Sequence, residues 1–200
     1  SYYLMAKEAG LQMMPSYLVE GEEVAHFMTE RFDRQGGKKL HIQTLAAMKP
    51  TANSYEELFD VACRLGVLPS ELKQLFLSLT MNVLGGNVDD HNKNFSFLMA
   101  DDGAWHIAPA YDYTFAVDLS APGYMNRHSM TINNKNVDIE RSDLLELAKH
   151  YNIKGADALI DKCLEAVKKF EHYADKAGID GQWTQQIKEE NSYRITALDK

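Results

Sequence analysis

Residues 70–94 constrain the fold more than any other part of the chain. Leu72, Leu75, Phe76, Leu79 and Val83 recur at helical spacing and make one apolar stripe. Ser70 is the expected N-cap, and Gly85-Gly86 ends the pattern. Directly behind it stands Gly86-Asn87-Val88-Asp89-Asp90-His91-Asn92-Lys93-Asn94. This loop gathers two carboxylates, a histidine and three carboxamides. Residues 95–99 and 105–107 then read as a hairpin around Asp101-Asp102-Gly103. A concentrated polar loop is therefore held between a buried helix and a small piece of sheet.

The flanking sequence fills in the rest. Residues 2–9 read as the end of a helix with Gly10 at its C-cap. Residues 16–20 and 24–32 read as two strands around Glu20-Gly21-Glu22, followed by a polar, glycine-containing loop over 33–39. Ile42, Leu45, Ala46 and Met48 fit a short helix ended by Pro50. Ser54-Tyr55-Glu56-Glu57 matches a capping box and predicts a helix to about residue 65, with Gly66 as its stop. Residues 119–137 show little periodicity. Ser142 or Asp143 caps a helix reaching His150, residues 155–177 are strongly helical, and Asp180 or Gly181 opens one more helix to Leu198. The expected fold class is mainly α, α+β overall. Residues 1–40 form a β remnant and a connecting segment, and residues 41–200 form a helical lobe with small β-hairpins.

Two hundred residues suffice for one domain or one lobe of a larger one. A formal charge of −8 argues against bulk attraction to nucleic acid. There is no apolar run long enough to span a membrane and no secretory signal pattern. Cys63 and Cys163 lack metal-ligand spacing and read as reduced, partly buried thiols of a cytoplasmic protein.

The polar loop carries chemistry through its order. Asp89, Asn94 five positions later, and Asp112 after a hairpin follow the sequence in which protein kinases place a proton acceptor and two Mg²⁺ ligands. Phosphoryl transfer needs phosphate charge neutralised and a hydroxyl aimed at the γ-phosphorus. Mg²⁺ takes hard oxygen ligands, which carboxylates and carboxamides supply. Lys93 can face a phosphate or stay solvated, and a lone histidine such as His91 is ordinarily structural. Clusters of Asn, Asp and Gly are also common in plain loops. The ordered set is what favours a site. Glu30-Arg31-Phe32-Asp33-Arg34 is by itself a solvated strand end. As a functional segment it links two lobes, offers backbone hydrogen bonds to a purine and sets Phe32 as an apolar wall. Two other functions compete: a silent lobe that binds a protein, and a Mg²⁺-dependent hydrolase.

Three segments together resemble the C-terminal kinase region of HipA-type toxins. Glu30-Arg31-Phe32-Asp33-Arg34 is similar to that family's hinge. The stretch Gly86–Ser96 looks like its catalytic loop, with an Asp-x-His-x-Lys-Asn core. Trp105-His106-Ile107-Ala108-Pro109-Ala110-Tyr111-Asp112 looks like its metal-binding segment. The resemblance implies a divergent serine/threonine protein-kinase fold, of a phosphoinositide-kinase-like sort, acting as the toxin of a bacterial toxin–antitoxin pair. It implies ATP and Mg²⁺ as cofactors. A HipB-type antitoxin would be the partner, with DNA reached only through it, and an aminoacyl-tRNA synthetase is a possible substrate. Carried over by position, Asp89, His91 and Lys93 would be catalytic, Asn94 and Asp112 would hold metal, and Glu30, Phe32 and Asp33 would bind the nucleotide. Residues 1–40 would then be an N-lobe remnant with the hinge. Two departures stand out: Ile42 replaces a frequent polar residue, and Asp90 replaces a frequent glycine and adds charge near the site. The family's upstream lobe carries a phosphate-contacting lysine, and this chain starts too late to include it. The chain is then either a fragment of a complete kinase or a short HipA-like protein that pairs with a separate N-lobe; the fragment is the expectation, inactive in isolation.

Overall fold

A long buried helix organises the computed structural model, which describes residues 1–22, 24–121 and 125–199. In order, the elements are α1 (Tyr2–Glu8), β1 (Ser16–Glu20), β2 (Ala25–Thr29), β3 (Arg34–Gln35), β4 (Lys38–Lys39), β5 (His41–Thr44), α2 (Leu45–Met48), α3 (Tyr55–Arg64) and α4 (Pro69–Leu84). Then come β6 (Ser96–Met99), β7 (Trp105–Ile107), α5 (Arg141–His150), α6 (Ala156–Lys168), α7 (Phe170–Lys176) and α8 (Gly181–Leu198). The fold is α+β.

The organising helix is α4. Its stripe of Leu75, Phe76, Leu79 and Val83 is buried, and it packs against α3, α6 and α8. It starts two residues earlier than expected, with Leu68 rather than Ser70 at the N-cap, because Pro69 at the first turn has no N–H to lose. Glu71, not Ser70, caps it by accepting the Leu68 amide at 2.9 Å. The capping box of α3 forms as predicted, with Ser54 Oγ accepting the Glu57 amide at 3.2 Å. The start of α5 is shifted likewise: Asp143 accepts the Glu140 amide at 2.9 Å and so acts from inside the helix. The helical run expected over 155–177 breaks at Lys169 into α6 and α7.

At the front, α1 lies on α6 and α7. The Tyr2 hydroxyl donates to the Gly85 carbonyl at 2.5 Å, and its ring meets Tyr113 and Phe170 edge-on. Lys169 reaches Glu8 at 3.2 Å across 161 residues of sequence.

Among the described residues the strands form three separate antiparallel sheets, β1-β2, β3-β4 and β5-β6-β7. The last corrects the sequence reading. Residues 41–44 are not helical; they pair with β6, Ile42 opposite Leu98 and Thr44 opposite Ser96. Only residues 45–48 are helical, capped by Thr44 Oγ1 on the Ala47 amide at 3.1 Å. The loop expected over 33–39 folds into the tight β3-β4 ribbon, since Gly36 and Gly37 both take positive φ at its turn. The β1-β2 ribbon has no covering layer: Leu18 is 55% and Phe27 69% exposed. Cys63 is exposed and Cys163 buried, both free, so only Cys163 meets the expectation of burial.

Candidate active site

The loop after α4 turns sharply at Gly86, whose φ of +66° suits glycine. A side chain there would press on Phe115 and Val117 at 3.2 Å. Beyond the turn, backbone bonds wind the loop tightly: the His91 amide donates to the Asp89 carbonyl, and the Asn94 amide to the His91 carbonyl, both at 2.9 Å. Asn94 Nδ2 also donates to the Asp89 carbonyl, at 3.0 Å. That bond orients the amide and leaves Asn94 Oδ1 as the outward acceptor. Asp89 is exposed, and His91 Nε2 stands 4.0 Å from it. The other ring nitrogen of His91 is buried without a hydrogen-bond partner. Lys93 is exposed.

Asp112 stands at the end of the segment that follows β7, in left-handed backbone with φ of +56°. Asp and Asn are among the few residues that tolerate this conformation. Its carboxylate is exposed and makes no hydrogen bond or ion pair among the described residues. Asn94 offers a carboxamide oxygen and Asp112 a free carboxylate, hard-oxygen donors of the kind that Mg²⁺ takes; Asp112 lines a large cavity that Tyr111 also borders, whereas Asn94 lines a separate small pocket with Glu71 and Ser96. No group of three or more His, Cys, Asp or Glu is gathered for a metal among the described residues.

Tyr111, given no role by the sequence, ties these parts together. Its hydroxyl donates to the Lys93 carbonyl at 2.7 Å and lies 2.5 Å from Ser96 Oγ. Its ring meets Phe32 at 5.5 Å between centroids. Burial pushes the Tyr111 phenol up, with Ser96 acting against that and the Asp112 charge adding to it. The hydroxyl thus stays a donor at neutral pH.

Phe32 and Tyr111 belong to the wall of a cavity of about 970 Å³, with Glu30, Asp33, Ile42 and Asp112 also on its lining. Asp33 differs from its predicted partners there. It is nearly buried, bonded by Arg31 at 2.8 and 2.7 Å and by Arg34 at 2.6 Å. Those contacts, Arg31 first, hold its carboxyl below the usual range. The side chain fixes the segment's own shape. Glu30 is exposed, and its amide is used by the Pro15 carbonyl at 3.0 Å.

Asp90 corrects the sequence reading. It adds no charge to the open site, because its carboxylate is fully buried and points into the core. No periodic pattern distinguishes Asp89 from Asp90 in a loop, so sequence carried no signal for this.

A family profile described as the HipA-like C-terminal domain matches residues 1–177. The chain belongs to that family. No curated protein matches it in sequence. Among solved structures, this HipA-like domain is similar to the toxin–antitoxin complex of HipA, HipB and operator DNA from Shewanella oneidensis MR-1. The TM-score is 0.70 at 17% identity, covering 97% of this chain and 53% of that one. It thus spans about half the length of that HipA structure. It is also similar to the proinflammatory kinase CtkA of Helicobacter pylori, with a TM-score of 0.62 at 15% identity over 99% of this chain and 82% of that one. The fold of the HipA-like domain is therefore kinase-like. No helix among the described residues is long and apolar enough to cross a membrane.

Proposed function

We propose that this HipA-like domain is the catalytic lobe of an ATP- and Mg²⁺-dependent serine/threonine protein kinase, the toxin of a toxin–antitoxin pair. The observation that carries the proposal is the free Asp112 carboxylate on the lining of a large cavity walled by Phe32 and Tyr111. A base needs a flat apolar slot, and a triphosphate with its metal needs an unpaired carboxylate beside it. The Glu30 carbonyl and the Phe32 amide, two residues apart and unbonded among the described residues, suit the amino and ring-nitrogen edge of adenine. Ile42 would add an apolar face to that slot.

In this reading Asn94 and Asp112 hold Mg²⁺, which when bound neutralises phosphate charge. Asp89 accepts the proton of a serine or threonine hydroxyl, whose oxygen forms its bond to the γ-phosphorus as ADP leaves. His91 supports the loop and Lys93 faces the phosphates. Residues 41–200 form the helical lobe, while β1–β4 belong with a second lobe that would cover the bare β1-β2 ribbon and supply a phosphate cation. A HipB-type antitoxin would restrain the toxin, with DNA bound only through it. The substrate would be a cytoplasmic protein, an aminoacyl-tRNA synthetase being the class to try first.

Calorimetric titration with Mg²⁺ and a non-hydrolysable ATP analogue tests the site. Wild-type chain should bind and Asp112→Ala should bind at least tenfold more weakly, as expected when a charged ligand is removed. In the complete protein, Asp89→Asn should abolish phosphoryl transfer to protein. Full activity in that variant would end the assignment, and phosphate release without a protein acceptor would favour a hydrolase.

A further inference from the structure

Asp89 and Asp90 are sequence neighbours that face opposite sides of one loop. Asp90 Oδ1 accepts the Ser129 amide at 2.8 Å and the Met130 amide at 3.4 Å. Oδ2 accepts the Tyr55 hydroxyl at 2.6 Å and faces His128 Nδ1 at 2.9 Å. A carboxylate can only accept, so the His128 nitrogen facing it carries the proton. One buried group thus joins the catalytic loop to α3 and to residues 128–130.

The connection continues. With its O–H directed at Asp90, the Tyr55 oxygen accepts from Asn82 Nδ2 at 3.1 Å. That fixes which end of the Asn82 amide points outward, and Asn82 Oδ1 accepts from Asn87 Nδ2 at 3.0 Å. The same Asn87 nitrogen donates its second hydrogen to the Asp112 carbonyl at 3.1 Å. Each amide along this line has one possible orientation, set by an end that cannot donate. The far end is the peptide whose left-handed turn presents the Asp112 carboxylate.

We propose that Asp90 is a positioning residue of the metal site, acting through Tyr55, Asn82 and Asn87 on the backbone of Asp112. This rests on the kinase reading for the metal, but not for the mechanical coupling. Aligned buried donors strengthen one another, and losing one leaves its neighbour free to reorient.

The test uses the 200-residue chain with Mn²⁺ alone as probe, followed by electron paramagnetic resonance, together with amide hydrogen exchange. Tyr55→Phe deletes one link and keeps the ring. Asn87→Asp keeps the shape and replaces the donor with an acceptor. Phe59→Leu, further along α3 where the ring stacks on Tyr151, is a control for lost stability alone. The relay variants should weaken Mn²⁺ binding about tenfold, as one lost buried hydrogen bond allows. They should also speed exchange over residues 112–116, where the Ala116 amide bonds the Gly86 carbonyl. The control should change neither. Wild-type Mn²⁺ affinity and unchanged exchange in both variants would overturn the proposal. A wild-type chain that binds no Mn²⁺ would instead count against the kinase reading, and the exchange data would still decide the coupling.

Discussion

Replacing Tyr111 by Phe separates the two tasks this residue performs. The ring remains against Phe32, while the hydroxyl's contacts to the Lys93 carbonyl and Ser96 Oγ are lost. Each net hydrogen bond is worth about 0.5–1.5 kcal/mol, so the pair is worth about 1–3 kcal/mol. Tyr111 is half-buried, so water can reach part of what is exposed, and the expected loss lies nearer about 1–2 kcal/mol. For a chain of this size that corresponds to a fall in Tm of roughly 2–8 °C. Thermal unfolding measures it, and hydrogen exchange at the Asn94 amide reports the loop directly. Tyr111→Leu also removes the aromatic contact to Phe32, worth about 0.5–1.5 kcal/mol more, and should weaken nucleotide binding further. A Tyr111→Phe chain with unchanged Tm and unchanged exchange at Asn94 would refute the idea that this hydroxyl ties the loop down. Equal nucleotide loss in the Phe and Leu variants would refute the ring's part in the wall.

Phe76→Ala, at a fully buried position on α4, should cost about 3–5 kcal/mol by denaturant unfolding. With its thiol pushed up to about 12 by burial, Cys163 should resist a maleimide in the native chain while exposed Cys63 reacts; denaturation should make both react. The Asp33 carboxyl, held low by Arg31, contributes stability that is fully present above its unfolded pKa near ~3.9 and is lost as pH falls through the lower folded value. A carboxyl titration followed by NMR should place Asp33 below that reference, and Arg31→Ala should move it upward.

What the sequence made legible was local. The α4 stripe, the Ser54 cap and the Asp101-Asp102-Gly103 turn each depend on residues within a few positions of one another, and each is found. Strand β5 was missed because Ile42, Leu45, Ala46 and Met48 do share a helical face. The partner that overrides this, Leu98, lies far along the chain, where no local period can announce it. The candidate site divides the same way. Asp89, Asn94 and Asp112 are candidates by their order alone. Their supports, Tyr111 on Lys93 and Asn87 on Asp112, join segments through contacts whose spacing obeys no period. Two adjacent aspartates in a loop look alike in sequence, and only packing sends Asp90 inward to Tyr55 and His128.

Helix α1 rests on α6 and α7, so it is synthesised long before the helices that seat it. Its buried face, Tyr2, Met5 and Ala6, must wait for Phe170 and its neighbours. At about 5–20 residues per second, translating the 161 residues between Glu8 and Lys169 takes about 8–30 s. During that interval the apolar side of the helix and the uncovered β1-β2 ribbon are both open to solvent, in a nascent chain whose polar loop is already made. Until α7 emerges, the segment bearing Asp112 and Tyr113 lacks the Tyr2 ring in its final place, so the surroundings of Asp112 settle only after Phe170 has been made.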